Sequence, residues 1–204
     1  MTALQALGDA ALDVVFPIDG QTLARDHAQA LQQALCAQLP WLVTDPLAGI
    51  HPIKVVHGSD EQALLSQRAR LLLRVGAQRA RELMTLAGLD LGMDGHLLRL
   101  GPAHLRELQP HATLYAYKVA ADSADEMRFM AAVDRELAQL AIGGERVCGK
   151  RERMVVSGRV LDTFSLMLHA LPPEQSMRLQ QRGLGPHRLL GCGIFVPHKS
   201  AAAV

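Results

Sequence analysis

Residues 145–170 read ERVCGKRERMVVSGRVLDTFSLMLHA, two strand-like runs separated by the pair Ser157-Gly158. A turn-forming pair between runs rich in valine, leucine and phenylalanine is typical of a β-hairpin. The preceding residues 125–141 carry apolar side chains at helical spacing, with Ser123 or Asp125 as the N-cap. The centre of the second half of the chain, residues 125–170, is therefore predicted to be a helix followed by a β-hairpin.

Three further elements flank this centre. They are a strand at 114–120, a helix at 172–183 that opens with two prolines, and a closing strand at 191–197. The second half of the chain thus has the order β-α-β-β-α-β, which is that of a ferredoxin-like unit.

The first half of the chain follows the same order without repeating the sequence. Its predicted elements are a strand at 12–18, a helix at 22–39, strands at 53–56 and 64–75, a helix at 77–87 and a hairpin at 89–100. We expect Thr22 to cap the first helix and Asp94-Gly95 to form the hairpin turn. Alternation along 64–75 predicts an exposed face that bears Arg68, Arg70 and Arg74.

The length of 204 residues suits one large or two small domains, and an apolar fraction of 49% is enough for a buried core. We therefore predict an α+β fold of two tandem ferredoxin-like units, residues 1–110 and 111–204, with a C-terminal glycine-rich loop. No apolar run is long enough for a membrane span, and residues 1–11 lack the basic leader of a secretory signal. Three widely spaced cysteines without a CxxC pair exclude a disulfide scaffold. We expect a cytoplasmic protein.

The charge of the chain is unevenly divided. Residues 1–142 hold 12 basic and 16 acidic side chains (net −4), whereas residues 143–204 hold 9 and 4 (net +5). A basic final quarter after an acidic body points to an anionic partner at that end of the protein.

The final quarter contains the glycine-rich segment GLGPHRLLGCGIFVP, residues 183–197. Its glycines frame the basic pair His187-Arg188; they are Gly183, Gly185, Gly191 and Gly193. Exposed amides of such a loop can hold a phosphate, and a guanidinium can clamp one. The alternative is a helix C-cap followed by a tight connection into an edge strand. The segment has neither the residues of a Walker loop nor the element order of a dinucleotide-binding fingerprint.

A second basic group lies on the predicted hairpin. It consists of Arg146, Lys150, Arg151, Arg153 and Arg159. Alternate residues of a strand share a face, so Arg151 and Arg153 should lie together and Lys150 opposite. The group is either a solvated hairpin tip or a surface that grips a nucleic-acid backbone.

Two of the nine histidines are candidates for acid-base chemistry, because the pKa of imidazole lies close to working pH. His27 lies near the start of the first predicted helix, on or near its core-facing side, and His51 lies in the loop GIHPI. A packed histidine and a turn residue are the alternatives. No histidine has a partner at zinc-binding spacing, and no catalytic triad or carboxylate pair can be argued from spacing, so we predict no metal site.

Three segments give the chain a resemblance to a known family. They are FPIDGQTLARDHAQAL (residues 16–31), PWLVTDPLAGIHPI (residues 40–53) and RLQQRGLGPHRLLGCGIFVP (residues 178–197). With the doubled β-α-β-β-α-β order, the chain resembles the CRISPR-associated endoribonucleases that process precursor CRISPR RNA, the sixth Cas protein family, and within it the Myxococcus-type variant. The glycine-rich loop is the mark of the wider repeat-associated superfamily, and the two N-terminal segments narrow the resemblance to this branch.

The resemblance implies cleavage of CRISPR repeat RNA by the RNA's own 2′-hydroxyl, without a metal or another cofactor, to leave a 2′,3′-cyclic phosphate and a 5′-hydroxyl. Such cleavage needs a positioned phosphate, a base for the 2′-proton, an acid for the 5′-oxygen, and cations or amides that offset the phosphorane charge. The family often places a histidine in or beside the first helix, which His27 matches. His51 is our candidate for the second imidazole, and Lys54 for a cation.

The resemblance also assigns the loop and the hairpin. Residues that match the family's glycine loop, which supports the RNA cleft and the fold, are Gly183, Gly185, Arg188, Gly191 and Gly193. We expect His187 to touch backbone phosphate, whereas Pro186 departs from the pattern and removes one amide donor. The basic hairpin matches by position an element that engages the RNA stem. Because aromatic residues make up only 3% of the chain, we expect recognition of stem shape and phosphates rather than base stacking.

Two other functions stay open from the sequence. The chain can be a non-catalytic subunit that binds CRISPR RNA in an effector complex, with other Cas proteins as partners. It can also be a two-unit protein that binds a small anionic metabolite at the glycine loop.

Overall fold

A computed structural model describes residues 10–56, 58–59 and 61–198. The chain divides into two compact units, unit 1 (residues 1–107) and unit 2 (residues 108–204). Within the described residues, no helix combines the length and the apolar character that crossing a membrane requires.

Unit 1 is built on a sheet around its first strand, β1 (Ala11–Asp19). The antiparallel neighbours of β1 are β5 (Arg70–Gly76) and β8 (His104–Glu107), and β3 (Gly49–Ile50) pairs with β5. Helix α1 (Ala28–Gln38) follows β1 along the chain, and helix α2 (Ala80–Met84) follows β5. This order confirms the predicted ferredoxin-like arrangement of the first half.

A hairpin extends this sheet, as the sequence predicts. Its strands are β6 (Asp90–Met93) and β7 (His96–Leu100), and β7 also pairs with the end of β1. The turn residues Asp94 and Gly95 have φ values of 47° and 82°, which is the left-handed backbone that an Asp-Gly turn of this kind requires.

The first helix begins later than predicted. Residues Thr22–Ala24 form strand β2, which pairs with β4 (Gln62–Leu64), and α1 starts only at Ala28 with His27 at its N-cap position. Thr22 is therefore not the helix cap. Leu23 is fully buried in β2, so a tertiary pairing overrides the helical spacing of these residues.

The predicted strands at 53–56 and 64–75 are also altered. Residues 53–56 contribute a single bridge, between Val56 and Leu64, and the second run divides into β4 and β5. Arg68 and Arg70 are exposed, but Arg74 is fully buried. The prediction of an exposed arginine face is therefore wrong for Arg74, because its guanidinium pairs with a buried carboxylate.

Unit 2 has the predicted order β-α-β-β-α-β. Its elements are β9 (Leu114–Ala121), α3 (Glu126–Gln139), β10 (Glu145–Val156), β11 (Arg159–His169), α4 (Pro173–Arg182) and β12 (Val196–Pro197). All strand pairs are antiparallel, in the spatial order β10-β11-β9-β12. Asp125 caps α3 by accepting from the amides of Met127 and Arg128. The closing strand is shorter than predicted, because the glycine-rich segment continues as a loop up to Val196.

Candidate functional site

His27 lies in the connection between β2 and α1, and its ring is held by the backbone. The imidazole Nδ1 lies 3.0 Å from the carbonyl oxygen of Ala24. Because a carbonyl can only accept, Nδ1 carries the proton, and the lone pair of the neutral ring is on Nε2. The residue is half-buried. Its tautomer is the one that a general base acting through Nε2 needs.

A second imidazole is held by the same short strand. His96, the first residue of β7, has its Nδ1 2.9 Å from the hydroxyl of Thr22. Thr22 and Ala24 are alternate residues of β2, so this strand anchors both His27 and His96. Nothing in the sequence singles out His96, because only the folding of β2 as a strand brings Thr22 to the β6–β7 hairpin. No local pattern signals this contact.

His51 lies in a buried charge cluster rather than in an open site. Its Nε2 is 3.2 Å from Oδ1 of Asp13, and the ring is only 6% exposed. Arg74 donates to both carboxylate oxygens of Asp13, at 2.9 and 3.2 Å, and Arg106 donates to Oδ2 at 2.7 Å. The cluster therefore joins β1, β5, β8 and the loop after β3.

Burial and the neighbouring charges set the protonation states of Asp13 and His51. Burial by itself would raise the pKa of Asp13, but the hydrogen bond from His51 and the charge of Arg74 outweigh it, and the pKa lies well below its usual range. Burial is the largest effect on His51 and lowers its pKa, with Asp13 opposing and Arg74 contributing. His51 is thus a neutral ring that donates Nε2–H to a carboxylate. The burial of His51 and its hydrogen bond to Asp13 argue against the predicted acid-base role. Lys54, three residues later in the chain, is exposed.

The structure separates the five basic residues of the β10–β11 hairpin into two groups. Three are paired with acidic side chains, as Arg146–Asp134, Lys150–Glu152 and Arg151–Asp162. Arg153 and Arg159 are exposed, and among the described residues their guanidinium groups have no hydrogen-bond or ion-pair partner. These two cations, close to the Ser157-Gly158 turn, are the ones that an anionic ligand can reach without breaking an ion pair.

The amides of the glycine loop are hydrogen-bonded inside the protein. Gly183 donates to the carbonyl of Leu179, Gly185 to the carboxylate of Glu136, Gly191 to the carbonyl of Arg188, and Gly193 to the carbonyl of Lys118. These bonds argue against the predicted phosphate cradle, because the donors it needs already have acceptors. They favour the alternative of a helix C-cap and a tight connection.

Close backbone contacts explain two glycines of this loop, Gly183 and Gly193. A Cβ on Gly193 would lie 1.9 Å from the carbonyl oxygen of Leu184, and one on Gly183 would lie 2.3 Å from that of Gly193. The guanidinium of Arg188 donates to the carbonyl of Arg182 at the end of α4. Arg188 therefore supports the helix end, whereas His187 is exposed.

A cleft of about 440 Å³ lies between α3, the end of β9 and Gly185-Pro186. Its cations are Arg128 and Arg135, and its acids are Asp122 and Glu136. Because these charges balance, the cleft does not favour an anion. In the part of the chain that the structure describes, no three His, Cys, Asp or Glu side chains are grouped as metal ligands would be.

Known proteins share both sequence and fold with this chain. A protein-family model described as Cas6 Crispr matches residues 12–200. The CRISPR-associated endonuclease Cas6 of Myxococcus xanthus (strain DK1622) is 34% identical over 194 residues, which are 95% of this chain and 84% of the relative. Among solved structures, a CRISPR associated protein Cas6 matches with a TM-score of 0.70 and 9% identity, over 93% of this chain and 100% of that chain. A RAMP protein binding different RNA substrates matches with a TM-score of 0.60 and 10% identity, over 90% and 98%.

Proposed function

The chain belongs to the Cas6 family of CRISPR-associated endonucleases, and from this premise we propose that it cuts CRISPR repeat RNA by attack of the RNA's own 2′-hydroxyl. Endoribonuclease activity in CRISPR RNA processing follows from the family. The chemistry of the cut is supported by one observation above all, the bond from Nδ1 of His27 to the carbonyl of Ala24, which leaves the lone pair on Nε2.

In the proposed reaction, Nε2 of His27 takes the proton of the 2′-hydroxyl as that oxygen attacks the adjacent phosphorus. The bond between phosphorus and the 5′-oxygen breaks, and the 5′-oxygen takes up a proton. The products are a 2′,3′-cyclic phosphate and a 5′-hydroxyl. His96 in its charged form is our candidate for the proton donor, in place of His51, because β2 holds it as it holds His27.

Cations hold the RNA in this proposal. Arg153 and Arg159 on the hairpin and Lys54 in unit 1 are exposed, and each can contact a phosphate without desolvating a buried group. The other two hypotheses have less support. Membership in a family of endonucleases favours neither a subunit without activity nor a metabolite-binding protein.

The test uses single-turnover cleavage of the cognate repeat RNA in EDTA, with mass analysis of the product ends. The parent protein should produce a cyclic phosphate, and a 2′-deoxy nucleotide at the cut should block the reaction. His27→Ala should lose about 10²-fold or more in rate while it keeps its RNA affinity. His51→Gln is the matched control and should cleave within about tenfold of the parent. Parent-like cleavage by His27→Ala, or cleavage of the deoxy substrate, would overturn the mechanism.

A further inference from the structure

The two tyrosines of the chain, Tyr115 and Tyr117, lie side by side on β9. Their ring centroids are 5.1 Å apart and the ring planes meet at 89°, an edge-to-face pair. The ring of His198 lies 5.5 Å from that of Tyr115. A chain with few aromatic residues thus gathers three flat rings at one place.

These rings belong to the sheet face that lies away from the helices of unit 2. Leu114, Ala116 and Val119 of β9 pack in the core with residues of α3 and α4. Because side chains alternate along a strand, Tyr115 points to the opposite face, where its register partners are Met167 and Val196. In RNA-binding domains built on a four-stranded sheet, aromatic side chains on the sheet stack bases of single-stranded RNA.

Tyr117 lies in a β-bulge of β9. Ala116 pairs with Leu166 and Val119 with Phe164, so Tyr117 and Lys118 together oppose Ser165. Bulges of this kind re-aim a side chain and occur often beside functional sites. Tyr117 is 46% exposed, although it lies on an interior strand of the sheet.

The glycine loop supports this bulge. The amide of Gly193 donates to the carbonyl of Lys118 at 2.7 Å, which ties the loop to the second residue of the bulge. The loop, whose glycine amides have acceptors within the protein, therefore supports the strand that carries the tyrosines.

We propose that Tyr117, held edge-to-face by Tyr115, is a stacking site for an unpaired base of the bound RNA. The ligand is an unpaired nucleotide beside the stem, because bases within a stem are already stacked on each other. The inference rests on the proposed function, since it takes the same RNA as the ligand. It adds one stacking contact to a recognition that we expect to depend mainly on stem shape and phosphates.

The experiment places 2-aminopurine at each unpaired position beside the stem of the repeat RNA. Binding of the parent protein should change the emission at one position. Tyr117→Leu should remove that change and weaken binding roughly tenfold to a hundredfold. Tyr117→Phe keeps the ring and should behave as the parent does.

A second measurement needs no variant. RNA with 4-thiouridine at the responsive position should crosslink, on irradiation, to residues 115–118 of the parent protein. If Tyr117→Leu binds with the affinity and emission of the parent, or the crosslinks map elsewhere, the inference fails while cleavage and the proposed function stand. If the parent protein neither binds nor cuts repeat RNA, the proposed function fails and the inference fails with it.

Discussion

Glu136 accepts the amide of Gly185 on both of its carboxylate oxygens, at 2.8 and 3.0 Å. The carboxylate thus binds one of the loop amides that a phosphate cradle would need. Since Glu136 belongs to α3, this bond ties the glycine loop to the helix, as the bond from Gly193 to Lys118 ties it to β9.

Glu136→Ala should therefore destabilise unit 2. The Gly185 amide loses a charged acceptor, and we expect the free energy of unfolding to fall by about 1–3 kcal/mol. Denaturant unfolding measures the change. Gln139→Ala, at an exposed position of the same helix, is the control and should be close to neutral. Equal stability of the two variants would show that the bond to the loop contributes nothing.

The cluster around Asp13 predicts that stability falls in acid. The folded-state pKa of His51 lies below its ordinary value of 6.5, so the unfolded chain binds that proton first as the pH falls. Stability should therefore decrease below about pH 6.5, and again below the ordinary carboxyl value of 3.8, where unfolded Asp13 takes a proton that the folded protein resists. Urea unfolding at a series of pH values measures this.

His51→Gln isolates the contribution of the ring. Glutamine can still donate to Asp13 but does not titrate. The slope of the free energy of unfolding against pH, between pH 6.5 and 5, should therefore flatten by up to about 1.4 kcal/mol per pH unit. An unchanged slope in His51→Gln would mean that the ring titrates as it does in water.

His96 should behave as an acid-base group. His96→Ala should slow cleavage by about 10²-fold with RNA affinity unchanged. Thr22→Val deletes the hydroxyl that holds the ring and should slow cleavage less, whereas Thr22→Ser keeps that hydroxyl and should cleave as the parent does. Single-turnover rates across pH report all three. Cleavage by His96→Ala at the parent's rate would place the proton donor elsewhere.

The hairpin arginines should contribute unequally to RNA binding. Arg153→Ala and Arg159→Ala each remove an exposed cation. Each should lower the slope of log affinity against log salt concentration by about the amount that one phosphate contact contributes. Arg151→Ala removes a guanidinium that Asp162 already neutralises, and it should have the smaller effect. Affinity measured against salt concentration separates these cases. Equal losses for Arg151 and Arg153 would show that the ion pair opens when RNA binds.

An element can be predicted from the sequence when the residues that determine it are neighbours in the chain. The hairpin at Asp94-Gly95 and the elements of unit 2 depend on turn residues and periodicity within short segments, and the structure has them as predicted apart from the closing strand, which is shorter. The start of α1 depends on a pairing between β2 and β4, whose strands are far apart in the chain. The helical spacing of residues 22–27 gives no indication of the pairing between β2 and β4.

The sequence by itself determined the order of the elements in unit 2, the doubled ferredoxin-like pattern and the family, because periodicity, turns and motifs depend on neighbouring residues. Only the tertiary structure decided what the polar groups do. It buried Arg74 and His51 around Asp13, gave the glycine amides acceptors within the protein, and brought Thr22 to His96. The physical reason is that burial and hydrogen-bond partners come from residues remote in the chain, and these set whether a side chain can meet a substrate.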